Sequence, residues 1–371
     1  MSSGLRVAVV GATGVVGTTM LQLLREREFP TSEIVPFATD RSAGRQLDGL
    51  TVRALTADAD LDGFDIVLFS AGGGTSRQWA PRFVEHGATV IDNSSAFRRD
   101  PDVPLVVAEV NPRALANHRG LIANPNCSTM QLMVALAPIH RAVGIERLVV
   151  ATYQSVSGTG KKAIDELEAQ AHADLHGMAM PAPEVYPEPI AFNVIGVAGS
   201  FADGDDHTDE ERKMMFETRK ILEDEAIGVA VTCVRVPVRI GHSEAVNVQT
   251  REPLTAAEAI ELLAAAPGIV LEDVPTPLSA AGRDEVFVGR IRRDESHPRA
   301  LSMWVVSDNL RKGAATNAVQ IAEVLVDRDL VGASAPPQLA PRPDAQPALD
   351  PPRMGADGLD ADVERVGDLG V

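Results

Sequence analysis

The stretch Leu5-Arg6-Val7-Ala8-Val9-Val10-Gly11-Ala12-Thr13-Gly14-Val15-Val16-Gly17 decides how the first third of the chain reads. Leu5–Val10 is a β-branched apolar run of strand length. Glycines then recur with G-x-x-G-x-x-G spacing, and helical patterning follows over Thr18–Glu28. Such glycines let the backbone turn tightly and approach a pyrophosphate, whose charge is favoured at a helix N-terminus. Gly11, Thr13, Gly14, Val15, Val16 and Gly17 are therefore candidate contacts to a dinucleotide. A glycine-rich turn can also join strand to helix with no ligand, so the surrounding sequence has to carry the reading.

That context is supportive. Further short apolar runs lie at Glu33–Ala38, Asp65–Ser70, Thr89–Ile91, Leu105–Ala108 and Leu121–Ala123, each ending in polar, Gly or Pro residues. Near-continuous apolar strands separated by helices predict a doubly wound α/β sheet buried on both faces. Asp40-Arg41-Ser42 follows the second run. An acidic residue there holds the ribose diol of NAD, whereas arginine accommodates the 2′-phosphate of NADP. Arg41 and Ser42 favour NADP, with Asp40 keeping NAD open.

From about residue 131 the pattern changes. Helices are expected at Met130–Val143, Lys161–His176 and Thr208–Asp224, where Thr208 and Glu211 have capping-box spacing. Strands are expected at Arg147–Tyr153, Gly228–Ile240, Ala245–Glu252, Val286–Arg293 and Leu301–Asp308, which gives an α+β domain with a mixed sheet. Gly313–Val326 reads as a terminal helix returning to the first domain. The expected division is 1–130 with 310–330 returning, 131–309, and a tail over 332–371. That tail holds 7 prolines, 7 acidic residues and no aromatic residue, a composition expected to stay disordered.

Composition removes whole classes of function. Of 371 residues, 34 are Lys or Arg and 52 are Asp or Glu, a formal charge of −18 that speaks against nucleic-acid binding. No run approaches the ~18 apolar residues of a membrane span, and the first residues lack a secretory h-region. Two cysteines cannot make a disulfide framework, so a reducing, cytoplasmic setting is expected.

One of those cysteines is the candidate nucleophile. Asn124-Pro125-Asn126-Cys127-Ser128-Thr129-Met130-Gln131 joins a strand to a helix, and a helix N-terminus favours a thiolate. Cys233, inside a strand-like run, reads as inert. Ser157-Gly158-Thr159-Gly160-Lys161-Lys162 lacks the glycine spacing and the final Ser or Thr of a phosphate-binding Walker loop. His172 and His176 have i,i+4 spacing but no third ligand, so no metal is expected.

The motifs GATGVVG at 11–17, SSAFR at 94–98, NPNCSTMQ at 124–131, QSVSGTG at 154–160, EERK at 210–213, RVPVRIGHS at 235–243 and DNLRKGAATNAVQ at 308–320 together resemble the aspartate-β-semialdehyde dehydrogenase family. The resemblance covers residues 5–330. It departs at Asn193-Val194-Ile195-Gly196, where proline is expected after Ile195, and over Val197–His207. It implies a Rossmann-type N-terminal domain, a catalytic and dimerisation domain, and a homodimer or dimer of dimers. The implied reaction converts L-4-aspartyl phosphate and NADPH to aspartate semialdehyde, NADP and phosphate, on the route to lysine, threonine, methionine and isoleucine.

Carried over residue by residue, the resemblance makes Cys127 the nucleophile, His242 the acid/base and Gln154 the group that orients the acyl intermediate. Arg235 would hold the substrate carboxylate and Glu210 its amino group; Arg98, Lys213 and Asn126 would hold the phosphate. Ser157, Gly158, Asn309 and Gln320 would join the cofactor contacts. Two alternatives remain open at this point: an N-acetyl-γ-glutamyl-phosphate reductase-like enzyme, and a catalytically silent nucleotide-binding paralogue.

Overall fold

The computed structural model describes residues 4–332, so the expected tail lies outside the described residues from 333 onward. Its first sheet is wholly parallel. Across it run the strands Arg53–Ala54, Thr31–Ala38, Leu5–Val10, Ile66–Phe69, Thr89–Asp92 and Leu121–Ala123. The chain starts in the middle, moves to one edge, then returns to build the other. A parallel sheet of that order opens a crevice beyond the carboxyl ends of its central strands.

Both faces are covered. Val7, Val9, Leu68 and Ile91 pack under α1 (Val15–Glu26) and the last helix, while Ala8, Val10, Phe37 and Phe69 meet α2 (Gly73–Glu85). Phe37, Phe64 and Phe69 all approach Phe83 edge-to-face, with ring centroids 5.7–6.1 Å apart. This double burial explains why the strands read as unbroken apolar runs.

Glycine is required in the first turn for two different reasons. Gly11 has φ +81°, and a Cβ there would lie 2.4 Å from the Ser70 carbonyl oxygen. A Cβ on Gly17 would lie 2.2 Å from the Gly11 carbonyl oxygen, so α1 could not sit so close to the strand end.

The second sheet is mixed. Gly228–Arg235 runs parallel to Ile145–Gln154, followed by antiparallel His242–Thr250, Ala300–Ser307 and Val286–Arg293, with Ile269–Leu271 parallel at the edge. α3 (Cys127–Val143) leaves the last strand of the first sheet and lies on the second, where Met130, Met133 and Leu136 meet Val150, Val246 and Met303. The remaining helices are α4 (Lys161–Leu175), α5 (Asp209–Leu222), α6 (Ala256–Ala264), the short α7 (Pro277–Ala280) and α8 (Asn317–Asp327). α8 packs on the first sheet beside α1.

Several elements depart from expectation. Leu105–Ala108 is not a strand and keeps only the bridge Leu105–Ala123. Side-chain amides replace its ladder: Asn111 bonds Val107 N–H and the Leu105 carbonyl, and Asn317 bonds Ala108 N–H and the Val106 carbonyl. The strand expected to reach Ile240 stops at Arg235, before Pro237, which has no N–H to donate. The next begins at His242 rather than Ala245. α3 begins at Cys127 rather than Met130, because Asn126 is the true cap. The terminal helix opens with a π-turn over Arg311–Thr316.

Gly17→Ala tests the close approach. Because the obstructing atom is backbone, stability should fall by about 1–3 kcal/mol in urea unfolding; an unchanged midpoint would contradict the packing described.

Candidate active site

Asn126 prepares the cysteine. Its Oδ1 accepts hydrogen bonds from Ser128 N (3.0 Å) and Thr129 N (3.2 Å), which caps α3 and makes Cys127 the first helical residue. Its Nδ2 donates to Glu210 Oε1 at 2.7 Å. The buried carboxylate of Glu217 accepts from Asn126 N (2.7 Å) and from Arg98 (2.9 Å). Arg98 also donates to the Asn93 carbonyl at 2.7 Å.

A cleft of about 310 Å³ opens over this turn. Val16 of the glycine-rich segment, Arg98, Asn126, Cys127, Ser157, Gly158, Glu210, Lys213 and Asn309 all line it. Thus the strand-to-helix turn of the first sheet and the sulfur border one cavity. Lys213 donates to Asp209 (2.5 Å) and Glu210 (3.2 Å). Burial works against its ammonium, but Glu210 and Asp209 outweigh that and raise its pKa.

His242 and Arg235 sit one layer deeper. His242 is wholly buried, and its Nδ1 accepts from Ser155 N–H (3.0 Å), with the Ser155 hydroxyl 3.2 Å away. Nε2 is therefore the protonated nitrogen; it has no partner and lies where a Cβ on Gly158 would be 3.2 Å away. Arg235 donates to the Ser155 carbonyl at 2.7 Å, and its Nε is unpartnered. Gln154 Nε2 reaches Glu210 at 3.5 Å. Asn309 holds this floor together: its Oδ1 accepts from Ser155 and Ser157 hydroxyls and from Gly241 N.

Two groups differ electrostatically from the expectation of a resting thiolate. Burial, then the charge of Glu210, pushes the Cys127 thiol up to about 12, against the opposing pull of Arg235 and Arg98. Helix-end stabilisation of roughly 0.3–1 kcal/mol is too small to reverse this, so the resting sulfur is protonated. Burial, then Arg235, lowers His242 to about 3, which leaves the ring neutral, and with Nδ1 accepting the Ser155 N–H its one proton sits on Nε2.

The remaining candidates lie elsewhere. Arg41 and Ser42 occupy a 3₁₀ turn after the Thr31–Ala38 strand; Arg41 is exposed and has no ion pair among the described residues. Gln320 does not border the cleft. It joins Glu109 and fully buried Lys312 in a cluster with contacts of 2.6–2.9 Å. The rings of His172 on α4 and His176 at its C-cap lie 4.2 Å apart.

A family model described as semialdehyde dehydrogenase, NAD binding domain, matches residues 6–118. Another, semialdehyde dehydrogenase, dimerisation domain, matches 136–312. Aspartate-semialdehyde dehydrogenase of Aquifex aeolicus is 53% identical over 340 residues, covering 88% of this chain and 100% of that protein. The chain belongs to the aspartate-semialdehyde dehydrogenase family. The crystal structure of aspartate semialdehyde dehydrogenase II from Vibrio cholerae complexed with ASA superposes with a TM-score of 0.85 at 51% identity, covering 88% and 99% of the two chains. The Candida albicans enzyme with NADP gives 0.68 at 25% identity, covering 89% and 100%. Among the described residues no helix is long and apolar enough to cross a membrane.

Sequence reasoning missed Glu217, Ser155 and Asn93. Glu217 did leave a signal, since Glu210, Lys213 and Glu217 follow i, i+3, i+7 spacing on one face of α5.

Glu210→Gln removes the charge that raises the thiol. Alkylation of Cys127 by iodoacetamide should then shift its pH midpoint downward; an upward shift or no shift would refute the electrostatic assignment.

Proposed function

We infer that this chain is an aspartate-semialdehyde dehydrogenase, reducing L-4-aspartyl phosphate to aspartate semialdehyde with release of phosphate. The observation that carries this reading is a set of buried donors without partners, Arg98 Nε, Arg235 Nε and His242 Nε2, gathered around the turn bearing Cys127. Buried polar groups are ordinarily satisfied, and a small anionic substrate supplies what they lack. In this reading Arg235 takes the substrate carboxylate, Glu210 its ammonium, and Arg98, Lys213 and Asn126 the phosphate.

The resting charges give the order of events. An ammonium at Glu210 neutralises the carboxylate that opposes ionisation of Cys127. As the phosphate departs it takes the thiol proton, while neutral His242, its proton already on Nε2, donates a hydrogen bond to the substrate. The sulfur thereby displaces phosphate and becomes a thioester, splitting one difficult reduction into two steps. Gln154 and the Cys127 N–H would hold the acyl oxygen as it gains charge. The sulfur regains a proton from solvent, relayed through His242, as the aldehyde leaves.

NADP fits the first sheet. The start of α1 has no side-chain cap, and Gly11 and Gly17 keep the backbone close and open. Gly11 through Gly17 would hold the pyrophosphate, Arg41 and Ser42 the 2′-phosphate, and Ser157, Gly158 and Asn309 the nicotinamide side of the cleft. When bound, the cofactor supplies the hydride. Assembly as a homodimer or dimer of dimers through the second sheet accords with the family description of residues 136–312. Two free cysteines suit the reducing cytoplasm.

The test runs the reaction backwards with aspartate semialdehyde, inorganic phosphate and NADP, watching for reduced nicotinamide. Equal or better turnover with N-acetylglutamate semialdehyde would overturn the substrate assignment. Cys127→Ala should abolish turnover and leave NADP affinity nearly intact. Arg41→Ala should weaken NADP by about tenfold or more and leave NAD little changed; equal loss for both would remove the 2′-phosphate contact.

A further inference from the structure

Beneath the cleft lies a carboxyl group that the reaction above does not use. Glu244 stands two residues after His242 on the same strand, so both side chains face the same side of the second sheet. That side is covered by α3. Glu244 is fully buried, and neither carboxyl oxygen has a hydrogen-bond partner. Among the described residues no lysine or arginine pairs with it. Its neighbours across the sheet are Thr152 and Val305. On the flanking strands Cys233, Arg235 and His242 share its face; Cys233 and His242 offer no positive charge at rest, and Arg235 donates to the Ser155 carbonyl instead.

An isolated carboxylate in such a place is strongly disfavoured, and the group stays neutral instead. Burial accordingly pushes the Glu244 carboxyl well above the ordinary range, with Gln131 as the one opposing influence.

Gln131 gives this position its meaning. It lies four residues after Cys127, one turn along the same face of α3. Its Oε1 accepts from Ser307 Oγ at 2.7 Å, and Ser307 is the register partner of His242. Its Nε2 is buried and unpartnered, as are both oxygens of the carboxyl it faces. Donor and acceptor without other partners therefore stand opposite each other between helix and sheet.

We propose that Glu244 is a positioning residue, a neutral carboxylic acid whose bond with Gln131 ties the helix bearing Cys127 to the strand bearing His242. The carbonyl oxygen accepts from Gln131 Nε2, and Ser307 completes the connection on the adjacent strand. The tie sets the separation of sulfur and imidazole without touching substrate. This inference rests on Cys127 and His242 being the reacting pair.

Infrared difference spectra of wild type and Glu244→Gln, with forward kinetics of Glu244→Gln, Glu244→Leu, Glu244→Ala and Gln131→Ala, test it. A protonated-carboxyl stretch present at neutral pH in the wild type and lost in Glu244→Gln is expected. Glu244→Gln keeps the acceptor, so kcat and KM should stay within about twofold. Glu244→Ala should lower kcat by about tenfold with KM nearly unchanged, a loss that follows misplacement of reacting groups. Gln131→Ala should match it, and the double variant should add little. Should Glu244→Ala not fold, Gln131→Ala reads the same tie from the helix side.

A spectrum showing an ionised Glu244, a Glu244→Gln enzyme as impaired as Glu244→Ala, or full activity in Glu244→Leu would overturn the proposal. If the wild type fails to turn over aspartyl phosphate, the functional reading fails instead. The infrared band and the additivity of Glu244→Ala and Gln131→Ala in thermal unfolding would still decide whether the tie exists.

Discussion

The buried carboxylate of Glu217 is the contact on which the site depends. One oxygen holds Arg98 from the loop after the fifth strand of the first sheet, and the other holds the backbone of Asn126 beside the sulfur. Three distant segments therefore meet on one side chain of α5. Removing it would leave a nearly buried guanidinium without its counter-charge, the kind of loss that costs about 3–5 kcal/mol. The same glutamate keeps Arg98 at the cleft wall, so a structural ion pair also sets where an anion can be received.

A second buried pair acts from the other side. Lys312 is wholly enclosed and bonds Glu109 through both carboxylate oxygens. Burial lowers its pKa, and Glu109 opposes that effect. The residue after it, Gly313, lies so close to the nucleophile that an added Cβ would come within 3.0 Å of the Cys127 Cβ. The π-turn over Arg311–Thr316 brings this glycine into place, and only the smallest residue leaves the cleft open there.

Local chemistry was legible in the sequence, and long-range chemistry was not. The βα turn, the alternation of buried strands and the capping box of Thr208 and Glu211 depend on residues a few positions apart, and each forms as its spacing implies. The run at Leu105–Ala108 misled because its ladder partners are the side chains of Asn111 and Asn317, the second more than 200 residues away. His242 falls between the strands expected from sequence because nothing local marks where the pairing of His242 with Ser307 and of Ser243 with Tyr153 begins. The state of Cys127 misled in the same way: the helix end is visible in sequence, whereas the burial that opposes it, and then the charge of Glu210 on a different helix, are not.

The returning helix α8 has a consequence for biogenesis. Val319, Ile321, Ala322 and Leu325 cover the face of the first sheet that exposes Val7, Val9 and Ile91 without them. During vectorial synthesis α1 alone covers part of that face until nearly the whole described chain has left the ribosome. The nascent nucleotide layer thus waits, one side greasy and only half roofed, through the assembly of everything between, a prolonged interval in which a holdase chaperone would find its target.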